Sequence, residues 1–351
     1  MHRIRFAGGG RKTLTAPVAR RAVKIGSSLA MLAGLAAIVV LTAYQGFAEV
    51  GQVFAAAGWG IALVTAFHFL PMVASALAWR AAAESITRSK VSVFLWARLL
   101  REAVNGLLPV AQVGGDIVGA RVLTFHGCGA PAAGASVLVD MTLEFLTQIV
   151  FTVIGLGLLV ANGGGEMTSW VAVGLAVAML AAIGFLLAQR WGVFRLLEKL
   201  LDRMAAFFDW PALGSLANLH DTVMTIYRDR RAMTGAILWH MASWILGAVE
   251  VWLTLLVLGA DVSFAEALVI ESLGQALRTA AFLVPGAYGI QEGGYMLLGV
   301  HFGLAPEIAL SVSLIKRVRE FVLGVPAILV WQFIEGRRLL AAADTTSEEG
   351  A

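Results

Sequence analysis

Charge is scarce in this sequence. Asp, Glu, Lys and Arg make up 14% of its 351 residues, where an ordinary soluble domain carries about 25%. A water-facing surface cannot be covered at that density, and a mean hydropathy of +0.82 agrees. Cysteine is scarcer still. Cys128 stands alone, which excludes an internal disulfide and any cysteine-built metal cluster, and reads as a small packing residue. The six histidines (His2, His68, His126, His220, His240 and His301) show no metal-ligand spacing, so no metal is expected. His68 and His240 read as packed or hydrogen-bonded side chains within helices. Also missing are a Gly-x-x-x-x-Gly-Lys-Ser/Thr phosphate loop, a Gly-x-Ser-x-Gly nucleophile motif and an Asp-rich pair for a magnesium diphosphate. These absences argue against an enzyme, and no cofactor is expected.

What the chain does have is apolar length. Hydrophobic residues make up 59% of it, in windows that reach the roughly 20 residues needed to cross a bilayer. The windows are continuous rather than alternating, which excludes a barrel. The expected class is an all-α integral membrane protein with six full spans, at roughly 25–45, 58–79, 133–160, 170–188, 234–258 and 308–334. A signal peptide could also start with a basic stretch and an apolar run. Here the run is long and no small-residue cleavage site follows it closely, so an uncleaved first span is expected.

A sequence pI of 9.2 could suggest nucleic acid as a partner, but the basic residues fall where membrane topology would put them. The tail 1–24 holds seven, the region 80–132 six and the loop 189–233 seven, while 46–57, 161–169 and 259–266 hold none. By the positive-inside rule both termini face the cytoplasm, with Arg337 and Arg338 closing the last span. Within 189–233, the spacing of Trp191, Phe194, Leu197 and Leu201 against Arg195, Lys199 and Arg203 fits either an amphipathic helix on the inner leaflet or a solvated linker. The segment 336–351 reads as a short, disordered cytoplasmic tail.

Two regions, 91–132 and 263–306, are too broken for one span and too apolar for a plain loop. The first contains Asn105-Gly-Leu-Leu-Pro-Val-Ala-Gln-Val-Gly-Gly-Asp116, including Pro109, Gln112, Gly114 and Gly115. The second contains Leu283 to Gly299, with Pro285, Gly286, Gly289 and Glu292. Interrupted backbone survives at membrane depth only where protein or a wet cavity surrounds it. Both regions are therefore expected to be re-entrant hairpins, although two further crossings would keep the same loops and give eight spans. In each, the proline would end a half-helix, the glycines would turn the chain, and the acid would project into the opened space.

A shift of 176 residues superposes Pro109 on Pro285, Asp116 on Glu292, Gly127 on Gly303, Glu144 on Glu320 and Phe145 on Phe321. Three spans, an odd number, separate the two hairpins. The second copy must then face the opposite side of the membrane, as in the inverted repeats of many secondary transporters. The expected repeat halves are about 58–160 and 234–334, within a membrane domain of 25–335.

Charges inside the spans point to the same place. Asp140 and Glu144 lie four residues apart, on one helical face. At about 1.5 Å per residue they stand roughly 10 and 16 Å deep. Lys316, Arg317, Arg319 and Glu320 lie at similar depth in the last span. The repeat predicts that Lys316 meets Asp140 and Glu320 meets Glu144. Such charges either form an ion-pair lattice that fixes helix register or line a polar cavity, and intramembrane ionisable residues are functional by default. Glu271 and Arg278 could join such a cavity, whereas Arg98 and Arg101 read as a cytoplasmic, phosphate-facing surface.

Asn105 through Asp116 with Arg121, and Pro285 through Glu292 with the basic cluster 316–319, resemble the flippase-like transmembrane family. That family includes the membrane half of lysylphosphatidylglycerol synthases, and the chain looks most like its HpnL-type members, associated with hopanoid biosynthesis. The resemblance implies a bacterial inner-membrane protein that handles a lipid between leaflets. It carries over Pro109, Gly114, Gly115, Asp116, Pro285, Gly286, Gly289, Glu292 and Arg317 as site residues. Synthase members add a cytoplasmic aminoacyl-transferase domain. These 351 residues contain none, so lysyl-lipid synthesis is not expected. The expected partners are membrane lipids with an anionic or amphipathic headgroup. An alternative is a non-transporting scaffold for lipid-modifying enzymes, and a weaker one is a lipid transferase using Asp140 and Glu144.

Overall fold

The computed structural model of the protein describes residues 51–108, 113–161, 219–281 and 287–348, a few isolated positions aside. Pro109, Gln112, Pro285, Gly286 and the expected spans 25–45 and 170–188 lie outside the described residues, as do Trp191 to Arg203.

Every described element is helical. In order they are α1 (Gly60–Phe67), α2 (Phe69–Ala82), α3 (Val91–Leu107), α4 (Gly114–Phe125), α5 (Ala130–Ala161), α6 (Leu219–Arg228), α7 (Arg230–Val257), α8 (Phe264–Ala280), α9 (Ile290–His301) and α10 (Pro306–Glu348). Three segments among the described residues are long and apolar enough to cross a bilayer: Gly60–Ala82, Ala130–Ala161 and Arg230–Val257. The helix α10 holds the expected span 308–334, but it is not among the three, because it carries Lys316, Arg317, Arg319 and Glu320 toward one end of that span and Glu335, Arg337 and Arg338 just past the other.

The α1–α2 span is interrupted at His68, which ends one helix and begins the next. Pro71 is the cause: it has no N–H for the carbonyl one turn earlier, and its ring crowds that turn. At the far end, α10 runs through Glu348, so the segment expected to be disordered is helical as far as it is described. Leu339 to Ala343 are strong helix formers, and they carry the helix onward. From the loop 189–233, α6 buries Leu219, Val223 and Ile226 against α5.

Each broken region folds as two packed helices around an interruption, α3 with α4 and α8 with α9. Leu108 is already extended (φ −107°, ψ 146°), as a residue before proline must be. Gly115 shows how tightly the first pair closes. A Cβ there would fall 2.2 Å from the Arg101 carbonyl oxygen, and the Gly115 N–H donates to Asn105 Oδ1 at 2.8 Å. No larger residue fits between these backbones.

The two halves pack alike. The helix α2 packs on α3, α3 on α4 and α4 on α5; in the second half α7 packs on α8, α8 on α9 and α9 on α10. Between the halves, α2 meets α7, α3 meets α10 and α5 meets α8. Two apolar cores form, one around Trp79, Phe94 and Leu123 that also takes Ala327 and Trp331 of α10, the other around Leu255, Ile270 and Tyr295 that also takes Val64 and Leu159. Large apolar side chains also face outward, among them Leu238, Leu297, Leu329 and Phe333. Apolar outside and charged between the halves is the distribution a bilayer selects.

Candidate functional site

A cavity of about 450 Å³ opens between the halves. Its wall takes Arg98, Arg101, Glu102 and Asn105 from α3, Asp116 from α4 and Glu144 from α5. From the second half come Glu250 on α7, Glu271, Gln275 and Arg278 on α8, and Lys316, Arg319 and Glu320 on α10. His68 lies in the wall at the break between α1 and α2.

The helical repeat explains how α3 delivers its three charges together. Arg98, Arg101 and Glu102 are spaced i, i+3, i+4 and share one face. Arg98 grips Glu144 with two N–H groups, at 3.0 and 2.7 Å, and donates to Glu102 at 2.8 Å. Arg101 reaches three carboxylates: Asp116 at 2.6 Å, Asp140 at 2.5 Å and Glu144 at 2.9 Å. Asp140 is fully buried behind the wall and also contacts His240 Nε2 at 3.1 Å. The planar guanidinium suits such many-sided bonding better than an ammonium would.

In the second half, Lys316 pairs with Glu271 at 2.6 Å and donates to the Tyr295 hydroxyl at 2.8 Å. Tyr295 in turn donates to Glu271. Glu320 accepts from Arg278 at 2.6 Å and from Arg317 at 2.8 Å. Glu250 accepts from Arg319 and lies 2.8 Å from His68. Gln148 of α5 ties the halves together, donating to the Gln275 carbonyl at 2.9 Å and to Thr279 at 2.7 Å.

A family model described as "Lysylphosphatidylglycerol synthase TM region" matches residues 30–327. The chain belongs to the lysylphosphatidylglycerol synthase transmembrane-region family. No curated protein and no solved structure matched it. Membership makes the protein a membrane domain related to lipid handling, and the matched region takes in both broken regions and all the charges named above.

Within this family member, several expectations need correction. Glu292 does not project into the cavity. It is fully buried at the start of α9, where one carboxylate oxygen accepts the Gly289 N–H at 2.7 Å and the other accepts from Arg317 at 2.6 Å. The glycine is needed there, since Gly289 has φ +80°. Nor does Lys316 meet Asp140, or Glu320 meet Glu144. Asp140 and Glu144 are satisfied by Arg101 and Arg98 of α3, Lys316 by Glu271 of α8, and Glu320 by Arg278 of α8 and Arg317 of its own helix, because α5 packs on α8, and α10 on α3, rather than on each other.

Arg98 and Arg101 do not form a separate cytoplasmic surface: they are the first half's main cations in the cavity. Arg121 lies elsewhere, pairing with Glu335 and covering the Phe125 ring at 5.0 Å. Gly114 starts α4 and is not part of the cavity wall. Sequence reasoning alone misses Glu102 and Glu250. Glu250, a lone acid in an apolar span, carries the same signal as Asp140. Glu102 is hidden among charges that topology assigns to a loop.

Proposed function

We propose that the protein carries an amphipathic lipid between the two leaflets of a bacterial inner membrane, taking the headgroup through the cavity while the acyl chains stay in lipid. One observation carries this reading: a cavity of about 450 Å³ that both broken regions wall and that charges of both signs line. A purely structural lattice would close on itself; this one leaves room. Resemblance to the HpnL-type members supports a hopanoid as the lipid, and the basic loops support cytoplasmic termini.

Alternating access would rock one half against the other as an inverted repeat. In support, the ends of α4 and α9 correspond under the 176-residue shift, at Gly114 with Ile290 and Phe125 with His301. Both helices finish on a positive-φ glycine, Gly127 and Gly303. At 12 residues each, α4 and α9 are about 18 Å long, short of a bilayer core of about 30 Å. That length supports re-entrant hairpins. Gly129→Cys and Ala305→Cys, at exposed equivalent positions, should then react with a membrane-impermeant maleimide from opposite sides, in a Cys128→Ala background. Labelling of both from one side would exclude the inverted arrangement.

Transport itself is tested by reconstitution. Purified protein in liposomes should expose a headgroup-labelled lipid to an outside quencher faster than empty liposomes do. Rates no faster than empty liposomes, for phospholipid and hopanoid probes alike, would defeat the reading.

A further inference from the structure

Resting on that transport reading, we propose that His68 is a proton-binding site through which a transmembrane proton gradient drives lipid movement. Both ring nitrogens face carboxylates: Nδ1 lies 2.8 Å from Glu250 Oε2 and Nε2 lies 3.4 Å from Glu102 Oε2. A neutral imidazole has one donor and one acceptor, and an ionised carboxylate only accepts. Two carboxylates can face one imidazole only if the trio holds an extra proton.

The neighbouring charges leave that place for it. Glu102 gives its other oxygen, Oε1, to Arg98 at 2.8 Å, and Glu250 gives its Oε1 to Arg319. Each acid thus has an arginine on one side and the imidazole on the other. On the same helix, Arg317 is held by Glu292 and Glu320, and Lys316, one turn before Arg319, is taken up by Glu271. The charge balance of the whole wall agrees. Six carboxylates line it, Glu102, Asp116, Glu144, Glu250, Glu271 and Glu320, against five fixed cations, Arg98, Arg101, Arg278, Lys316 and Arg319. A protonated His68 supplies the missing charge. Behind the wall, Glu292 is matched by Arg317, while Asp140 shares the already counted Arg101 with the wall and also contacts His240.

Position makes this proton a link between the halves. His68 and Glu102 belong to the first half, and Glu250 lies on α7 of the second. The Glu102 side chain is 34% exposed, the most open acid of the network, so it is the entry point from the cavity. A proton arriving from the acidic side passes from Glu102 to Nε2 and closes the bridge. Once the opposite side opens, it returns to Glu102 and leaves, one proton per cycle. Without it, a ring lone pair faces a carboxylate, and the longer contact to Glu102 gives way.

Two measurements test this. In nitrogen-15 histidine-labelled protein in nanodiscs, the signal lost in His68→Gln should be a doubly protonated imidazolium at neutral pH; a neutral imidazole there overturns the proposal. In liposomes, an imposed pH gradient should speed transfer of headgroup-labelled phosphatidylethanolamine several-fold, and a protonophore should remove the gain. The ratio of rates with and without the gradient should fall to one in His68→Gln, whatever its absolute rate. If wild-type transfer is indifferent to the gradient, proton coupling fails and the transport reading stands. If wild-type protein moves no lipid at all, the transport reading fails, and proton driving falls with it.

Discussion

Replacing Arg101 with methionine should remove most of the folded protein from the membrane. Arg101 is the single cation joining Asp116 on α4 to Asp140 and Glu144 on α5. With it gone, Glu144 keeps Arg98 and Asp140 keeps the His240 contact, but Asp116 loses its only ion pair among the described residues. Breaking a buried ion pair by removing one partner costs about 3–5 kcal/mol, because the charge left behind stays desolvated. Here one side chain serves three such partners, so the upper end of that range is expected. Detergent-solubilised protein followed by fluorescence-detected gel filtration would show the monodisperse peak lost. Adding Asp116→Asn to Arg101→Met should restore part of it, since an amide needs no counter-charge. Wild-type abundance and melting in Arg101→Met would mean that the lattice does not hold these helices together.

The two interruptions are legible in the sequence because proline, glycine and an acid rarely meet inside an apolar run unless the helix breaks there. The helices do stop at Leu107 and Ala280 and restart at Gly114 and Ile290. The shift of 176 residues comes from rare residue types, and the ends of α4 and α9 are spaced by that same shift. Partner choice is not legible. Whether Lys316 meets Asp140 or Glu271 depends on which helices lie beside α10, and periodicity along one helix does not contain that. Glu292 is misplaced for a related reason. Its carboxylate reaches back to the Gly289 N–H, a bond set by the positive φ of Gly289, and from sequence an acid at a helix start looks the same whether it caps or faces a ligand. Arg98, Arg101 and Glu102 are lost to a counting rule. Topology takes credit for charges near a cytoplasmic loop, while their i, i+3, i+4 spacing is already that of one helical face.

Arg278→Gln separates transport from folding, because Arg278 differs from Arg101 in what its loss strands. Its partner Glu320 is held a second time by Arg317 at 2.8 Å, so no acid is left without a cation. The protein should therefore fold, with an unchanged gel-filtration peak and little change in melting temperature. Its effect on lipid movement should be large. The Arg278 side chain is 21% exposed to the cavity, against 9% for Arg101 and 5% for Lys316, and it is the most open of the paired cations lining that space. An anionic headgroup entering from lipid meets this guanidinium with the least rearrangement of existing pairs. A hydrogen bond to a charged group is worth about 1.5–3 kcal/mol, which corresponds to a loss of roughly ten- to a hundred-fold in leaflet transfer. Arg278→Lys should recover only part of that, since an ammonium cannot bond Glu320 and a phosphate oxygen through one planar fork. Folded Arg278→Gln protein that moves lipid at the wild-type rate would show that the headgroup does not use this face of the cavity.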